Sequence, residues 1–133
     1  MQKQGELLVP RSIVIVVDDD PAMRNSLKFS LEIEGFAVRT FACGTELLDS
    51  SDARLGQCFV IDQKMSGMTG LDLIANLRAK HISAPAILIT SHAIGAVARR
   101  AAQADVPIVE KPLLGNALLE RIRDACRQYS NQH

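Results

Sequence analysis

Ile13-Val14-Ile15-Val16-Val17-Asp18-Asp19-Asp20-Pro21 holds, in one short stretch, the pattern that decides the fold. A continuous β-branched run suits a strand buried on both faces, since a half-solvated strand alternates apolar with polar residues. The run stops at three acids, and then comes Pro21, which is favoured in a first helical turn. Strand, polar strand end and amphipathic helix then recur down the chain. Met23, Leu27 and Leu31 stand at helical spacing, Phe29 and Ile33 widen their stripe, and Gly35 reads as the helix stop. Residues 36–41 read as a second strand, 45–49 as a short helix and 50–52 as a polar loop. Residues 58–61 are a third apolar strand ending at Asp62. After the 66–70 turn comes a helix with Leu73, Ile74 and Leu77 on one side. Pro85 precedes a fourth strand over 86–89, which ends at Thr90. An alanine-rich helix covers 94–104, and a short fifth strand covers 107–110 and ends at Lys111-Pro112. The last helix, over 114–129, puts Leu114, Leu118, Ile122 and Ala125 on one stripe.

Five strands alternating with five helices imply right-handed crossovers and a parallel sheet covered on both faces. The expected architecture is α/β, a doubly wound five-stranded parallel sheet. Residues 1–12 read as an N-terminal extension or linker, 13–129 as the single domain, and 130–133 as a polar tail expected to fray.

Composition narrows the class of function. Hydrophobic residues are 47% and charged residues 23% of the chain, a globular profile. Fifteen Lys and Arg balance fifteen Asp and Glu, and no basic stripe marks a nucleic-acid interface. The apolar run at residues 12–17 is far too short to span a bilayer, and the start lacks a signal-peptide core. A cytoplasmic protein without a membrane partner is expected. Cys43, Cys58 and Cys126 are too few and too widely spaced for a disulfide framework or a CxxC metal site, and they read as structural. Cys58 lies in an apolar run and is most simply a small buried hydrophobe.

The chemistry lies where the strands end. Strand one ends in Asp18-Asp19, strand three in Asp62, strand four in Thr90 and strand five at Lys111. In an open doubly wound sheet the C-terminal strand ends share one edge, and ligands bind there near the switch in strand order. Carboxylates gathered at one point repel one another, so they raise each other's pKa or recruit a cation. An oxygen-only donor set, with no His or Cys converging on it, favours a hard ion such as Mg²⁺. Lys111 adds a positive charge and Thr90 a hydroxyl donor. Carboxylate nucleophile, metal, lysine and hydroxyl are together what aspartyl phosphorylation requires. Each group alone has a plainer reading, Asp18-Asp19 as a helix cap and Thr90 or Asp62 as turn formers, so the specificity lies in the set. A metal-dependent phosphohydrolase is disfavoured because no cap segment is available to enclose a substrate.

With those residues in view, the chain resembles the CheY-like receiver domains of bacterial two-component response regulators, with flavodoxin-like (βα)5 topology. The resemblance rests on Val16-Val17-Asp18-Asp19-Asp20-Pro21, on Asp62-Gln63-Lys64-Met65 with Gly70 beyond it, on Ile89-Thr90-Ser91 and on Glu110-Lys111-Pro112. It implies that Asp62 accepts a phosphoryl group from a sensor histidine kinase. It implies Mg²⁺ held by Asp19, Asp62 and the Lys64 backbone carbonyl, with Asp18 acting through water. Thr90 and Lys111 are then expected to bind phosphoryl oxygens. The resemblance also admits a homodimer through the helix-four, strand-five, helix-five face, and it leaves two organisations open, a stand-alone receiver or the receiver half of a longer regulator with a DNA-binding output domain. A phosphorylation-independent interaction module on the same fold is the alternative.

Four departures from the family pattern bear on behaviour. Ser66 stands where proline is usual, which loosens the loop after Asp62. Ile108 occupies the switch position usually held by an aromatic ring, and Leu113 replaces a common aromatic after Lys-Pro. The segment from Thr90 to Lys111 is about one residue shorter than usual. Lys64 and His92 lie near the expected path of an attacking water, where they would tune phosphoryl lifetime.

Overall fold

A computed structural model describes residues 11–132, so most of the expected N-terminal extension, residues 1–10, and His133 lie outside the described residues. The elements run β1 (Ile13–Val17), α1 (Pro21–Ile33), β2 (Ala37–Phe41), α2 (Gly44–Leu48), a 3₁₀ turn (Ser51–Leu55), β3 (Cys58–Asp62), α3 (Gly70–Ala79), β4 (Ala86–Thr90), α4 (Gly95–Gln103), β5 (Ile108–Glu110) and α5 (Ala117–Gln132). All strand pairings are parallel, in the order β2-β1-β3-β4-β5. The chain therefore winds outward in one direction from β1 to β2 and in the other from β3 to β5. The reversal falls between β1 and β3, where the Asp18 and Asp62 strand ends are neighbours.

Strand alternation sends side chains to two core layers. Ile15, Val17, Phe59, Ile61 and Leu88 pack toward α2, α3 and α4, where Leu47, Leu73, Leu77 and Ala101 meet them. Val14, Val16, Val60, Ile87 and Ile89 pack toward Leu27 and Leu31 of α1 and Leu118 and Ile122 of α5. Every residue of β3 and β4 is buried, which explains why these strands read as unbroken apolar runs.

Four expectations are corrected. Phe29 and Ile33 do not widen the buried stripe of α1; they are 69% and 66% exposed. At about 100° per residue, Phe29 stands some 200° from both Leu27 and Leu31, on the opposite side of the helix. The last helix begins at Ala117 rather than at 114, and Leu114 is exposed. Gly115 at φ +67 breaks the chain out of helical geometry just before it. Residues 130–132, expected as a polar tail, are helical and complete α5, and the expected polar loop at 50–52 is the entry to the 3₁₀ turn, capped by the Ser50 hydroxyl on the Asp52 N–H at 3.0 Å.

Candidate phosphoacceptor site

The five predicted site side chains converge at the C-terminal edge of the sheet. Asp18, Asp62 and Thr90 are buried, Asp19 is exposed at the rim, and Lys111 is half-buried. Carboxylate oxygens of Asp18, Asp19 and Asp62 lie within 4.8 Å of one another. Lys111 Nζ stands 3.3 Å from Asp62 Oδ1. Together with Thr90, Lys64 and His92 these residues line an open cleft of about 400 Å³.

Backbone bonds hold the strand ends in register. The Asp18 N–H donates to the Phe41 carbonyl at 3.2 Å, Gln63 N–H to Ile89 at 2.9 Å, and Lys111 N–H to Thr90 at 2.9 Å. Beyond β1 the acidic turn divides its labour. Asp18 Oδ1 accepts from the Asp20 N–H at 3.0 Å, while Asp20 caps α1 by accepting from the Ala22 N–H at 3.0 Å. Only Asp19 is left pointing to the open rim. The loop after Asp62 is tied down even though Ser66 replaces proline. Gln63 accepts from Gly70 N–H on its carbonyl at 3.0 Å and from Leu71 N–H on Oε1 at 2.9 Å, and Met65 is buried. Thr69 and Asp72 form a reciprocal capping box at the start of α3.

The electrostatics follow from this packing. Burial raises the Asp62 carboxyl above the usual range, and the Asp19 charge adds to it. The Lys111 charge and hydrogen bond, with the Lys64 backbone N–H, pull the other way. Asp18 is also raised, first by burial and then by the Asp62 and Asp19 charges, against the Asp20 N–H and Lys111. Lys111 thus offsets only part of the acidic cluster. Three close carboxylates, oxygen-only and opening to solvent, suit a hard divalent cation, which would supply the missing positive charge.

Ile108 does not join this constellation. It pairs with Leu88 at the start of β5 and lines a separate groove of about 260 Å³ with Leu113 and Leu114. Two positioning residues escaped the sequence reading. One is Gln63, whose side chain pins the helix start. The other is Arg24, whose Nη1 donates to the Asp18 carbonyl at 2.7 Å. The signal available for Arg24 was a lone cation one turn into α1, six positions after Asp18.

Residues 14–123 match the response regulator receiver domain family. The chain belongs to that family. This receiver domain is 34% identical over 116 residues to the transcriptional regulatory protein FixJ of Bradyrhizobium diazoefficiens, covering 86% of this chain and 57% of that protein. It is 36% identical over 114 residues to the FixJ of Rhizobium meliloti, covering 84% of this chain and 55% of that protein. The receiver domain thus spans little more than half the length of these relatives. Among solved structures, the FixJ N-terminal domain matches with a TM-score of 0.78 at 33% identity, covering 90% of this chain and 96% of that one. The response regulator StyR matches at 0.84 and 31%, covering 92% and 63%. The fold expectation is met, and the chain is a receiver domain of two-component signal transduction. None of the helices in the described residues is long and apolar enough to cross a membrane.

Proposed function

We propose that Asp62 is the phosphoacceptor of this receiver domain. The observation that carries the reading is the juxtaposition of a buried Asp62 with Asp18 and Asp19 within 4.8 Å and with Lys111 at 3.3 Å. An Asp62 carboxylate oxygen attacks the phosphorus of a phosphohistidine on a sensor histidine kinase. The O–P bond forms as the P–N bond breaks, and the leaving imidazole takes up a proton. Asp18, Asp19, Asp62 and the Lys64 backbone carbonyl would hold Mg²⁺, which neutralises charge so that a phosphoryl anion can enter an acidic cleft. Lys111 keeps Asp62 ionised before transfer and is within reach of a phosphoryl oxygen after it. Thr90 Oγ1, which accepts from the His92 N–H at 3.2 Å, offers a hydroxyl at the same cleft. The domain assists its own transfer and hydrolysis rather than turning over a diffusible substrate.

The longer relatives are named transcriptional regulatory proteins, which supports a DNA-binding output domain as partner; a cytoplasmic location and a homodimer through α4, β5 and α5 belong to the same proposal. Incubation with acetyl phosphate and Mg²⁺ tests the chemistry: one acid-labile phosphate per chain, abolished by Asp62→Ala, is expected. No labelling, or labelling that survives the substitution, contradicts it. The second reading, an interaction module indifferent to phosphorylation, draws on Ile108. An isoleucine packed on Leu88 has no ring to follow a moving Thr90. It predicts partner binding unchanged by Asp62→Ala.

A further inference from the structure

Asp62 meets Lys111 and Asp18 accepts from the Asp20 N–H, but the Asp19 carboxylate makes no hydrogen bond or ion pair among the described residues. Its place at the rim is therefore set by its own backbone. Two peptide planes flank it, and each is rigid in itself. The Asp19–Asp20 plane is fixed by the Asp20 N–H, bonded to Asp18 Oδ1 at 3.0 Å. The Asp18–Asp19 plane is fixed by Arg24, whose Nη1 donates to the Asp18 carbonyl at 2.7 Å. Among the described residues no backbone N–H bonds that carbonyl, so its hold depends on the Arg24 side chain. The Arg24 N–H in turn donates to the Asp20 carbonyl at 3.0 Å. One residue of α1 thus grips the acidic turn on both sides of Asp19 and leaves that side chain only its own rotamers.

Arg24 is half-buried and forms no salt bridge among the described residues, although Asp18, Asp19 and Asp20 all stand within six positions of it. A guanidinium near carboxylates favours a bidentate fork onto one of them. Here it takes a carbonyl instead, in a short charge-assisted bond, and blocks no carboxylate oxygen. We propose that Arg24 is a positioning residue for the divalent cation: it fixes the Asp18–Asp19 peptide and so presents the Asp19 carboxylate to the ion without neutralising it. The inference rests on reading the acidic cluster as a Mg²⁺ site, and it adds a residue that lies outside the cluster. The sign of its effect separates positioning from charge. As a charge, Arg24 repels the ion, so its removal would tighten binding. As a clamp, it orders Asp19 before the ion arrives, so its removal weakens binding.

The test titrates Mg²⁺ into the metal-free full chain and follows the amide NMR shifts of Asp19, Asp62 and Lys64, with Arg24→Met and Arg24→Lys beside wild type. Methionine keeps an unbranched stem and a similar helix propensity while removing donor and charge; lysine keeps both. In Arg24→Met the Mg²⁺ dissociation constant should rise about tenfold, the lower end for partners that orient a metal ligand, because Arg24 acts on the backbone of Asp19 and not on its carboxylate. Arg24→Lys should fall between Arg24→Met and wild type. Arg24→Gln, whose shorter amide loses the reach, should show the same rise as methionine and serves in its place if that variant does not fold. Equal or tighter Mg²⁺ binding in the folded Met or Gln variant overturns the proposal. So does a lowered melting temperature with the dissociation constant unmoved, the mark of a purely structural bond. A wild type whose amides ignore Mg²⁺ removes the metal site itself and this proposal with it, a result distinct from a wild type and a variant that bind alike.

Discussion

Gly70→Ala joins the fold to the site in a single atom. A Cβ at position 70 would stand 2.6 Å from the Asp62 backbone oxygen, 3.0 Å from Gln63 Cα and 2.8 Å from Leu88 Cδ1, against an ordinary contact of 3.4 Å or more. Two of the three obstacles are backbone, and that backbone carries the phosphoacceptor. Overpacking of this kind costs about 1–3 kcal/mol, and the fixed backbone places this case in the upper part of that range. Alanine's better helix propensity returns up to about 1 kcal/mol, less in a first turn than mid-helix. A net loss of roughly 2 kcal/mol should lower the urea midpoint by about 1 M. Asp62 must shift to make room, so acetyl phosphate labelling should slow by about tenfold or more. Gly44→Ala is the control. There the new Cβ meets Met68 Sδ at 2.8 Å, the movable end of a flexible side chain, and little change is expected. A Gly70→Ala protein with the wild-type midpoint and labelling rate, or one indistinguishable from Gly44→Ala, would refute this account of the β3–α3 turn.

Other perturbations have definite signs. Asp18→Asn should raise stability at neutral pH in chelator, because the buried carboxyl is held above the usual range by burial and by its acidic neighbours. A raised folded-state value means the contribution is fully present below the unfolded carboxyl value and lost as pH rises through the folded one. Metal-free wild type should therefore destabilise over that rise while Asp18→Asn destabilises less; parallel pH profiles would contradict it. Ile122→Ala removes a fully buried side chain between α5 and the sheet and should cost about 2–5 kcal/mol in urea unfolding. Thr69→Ala deletes the hydroxyl that accepts from Asp72 N–H at 3.2 Å, and a loss of about 1 kcal/mol, largely restored by serine, is expected.

How much of this was legible in the sequence varies from residue to residue. The strands were plain because Ile13–Val17 and Cys58–Asp62 are buried on both faces, so their burial is written as unbroken apolar runs. The site was plain because parallel connectivity forces strand ends onto one edge, which turns four scattered polar strand ends into neighbours. Phe29, Ile33 and Leu114 misled for one reason: hydrophobicity was counted without its direction around the helix, or across Gly115. Arg24 and Gln63 were invisible because their roles are side-chain bonds to the backbone, at 2.7 and 2.9 Å, and no residue type announces such a bond.

The central claim is that Asp62 carries the phosphoryl group, and the most direct measurement identifies the modified residue. The domain is phosphorylated with acetyl phosphate and Mg²⁺, reduced with sodium borohydride, which converts an aspartyl phosphate to homoserine, and sequenced by mass spectrometry. Homoserine at position 62 alone, dependent on Mg²⁺, is the predicted result. Homoserine at position 18, 19 or 20, or an unmodified position 62 in protein that has taken up phosphate, would contradict the account.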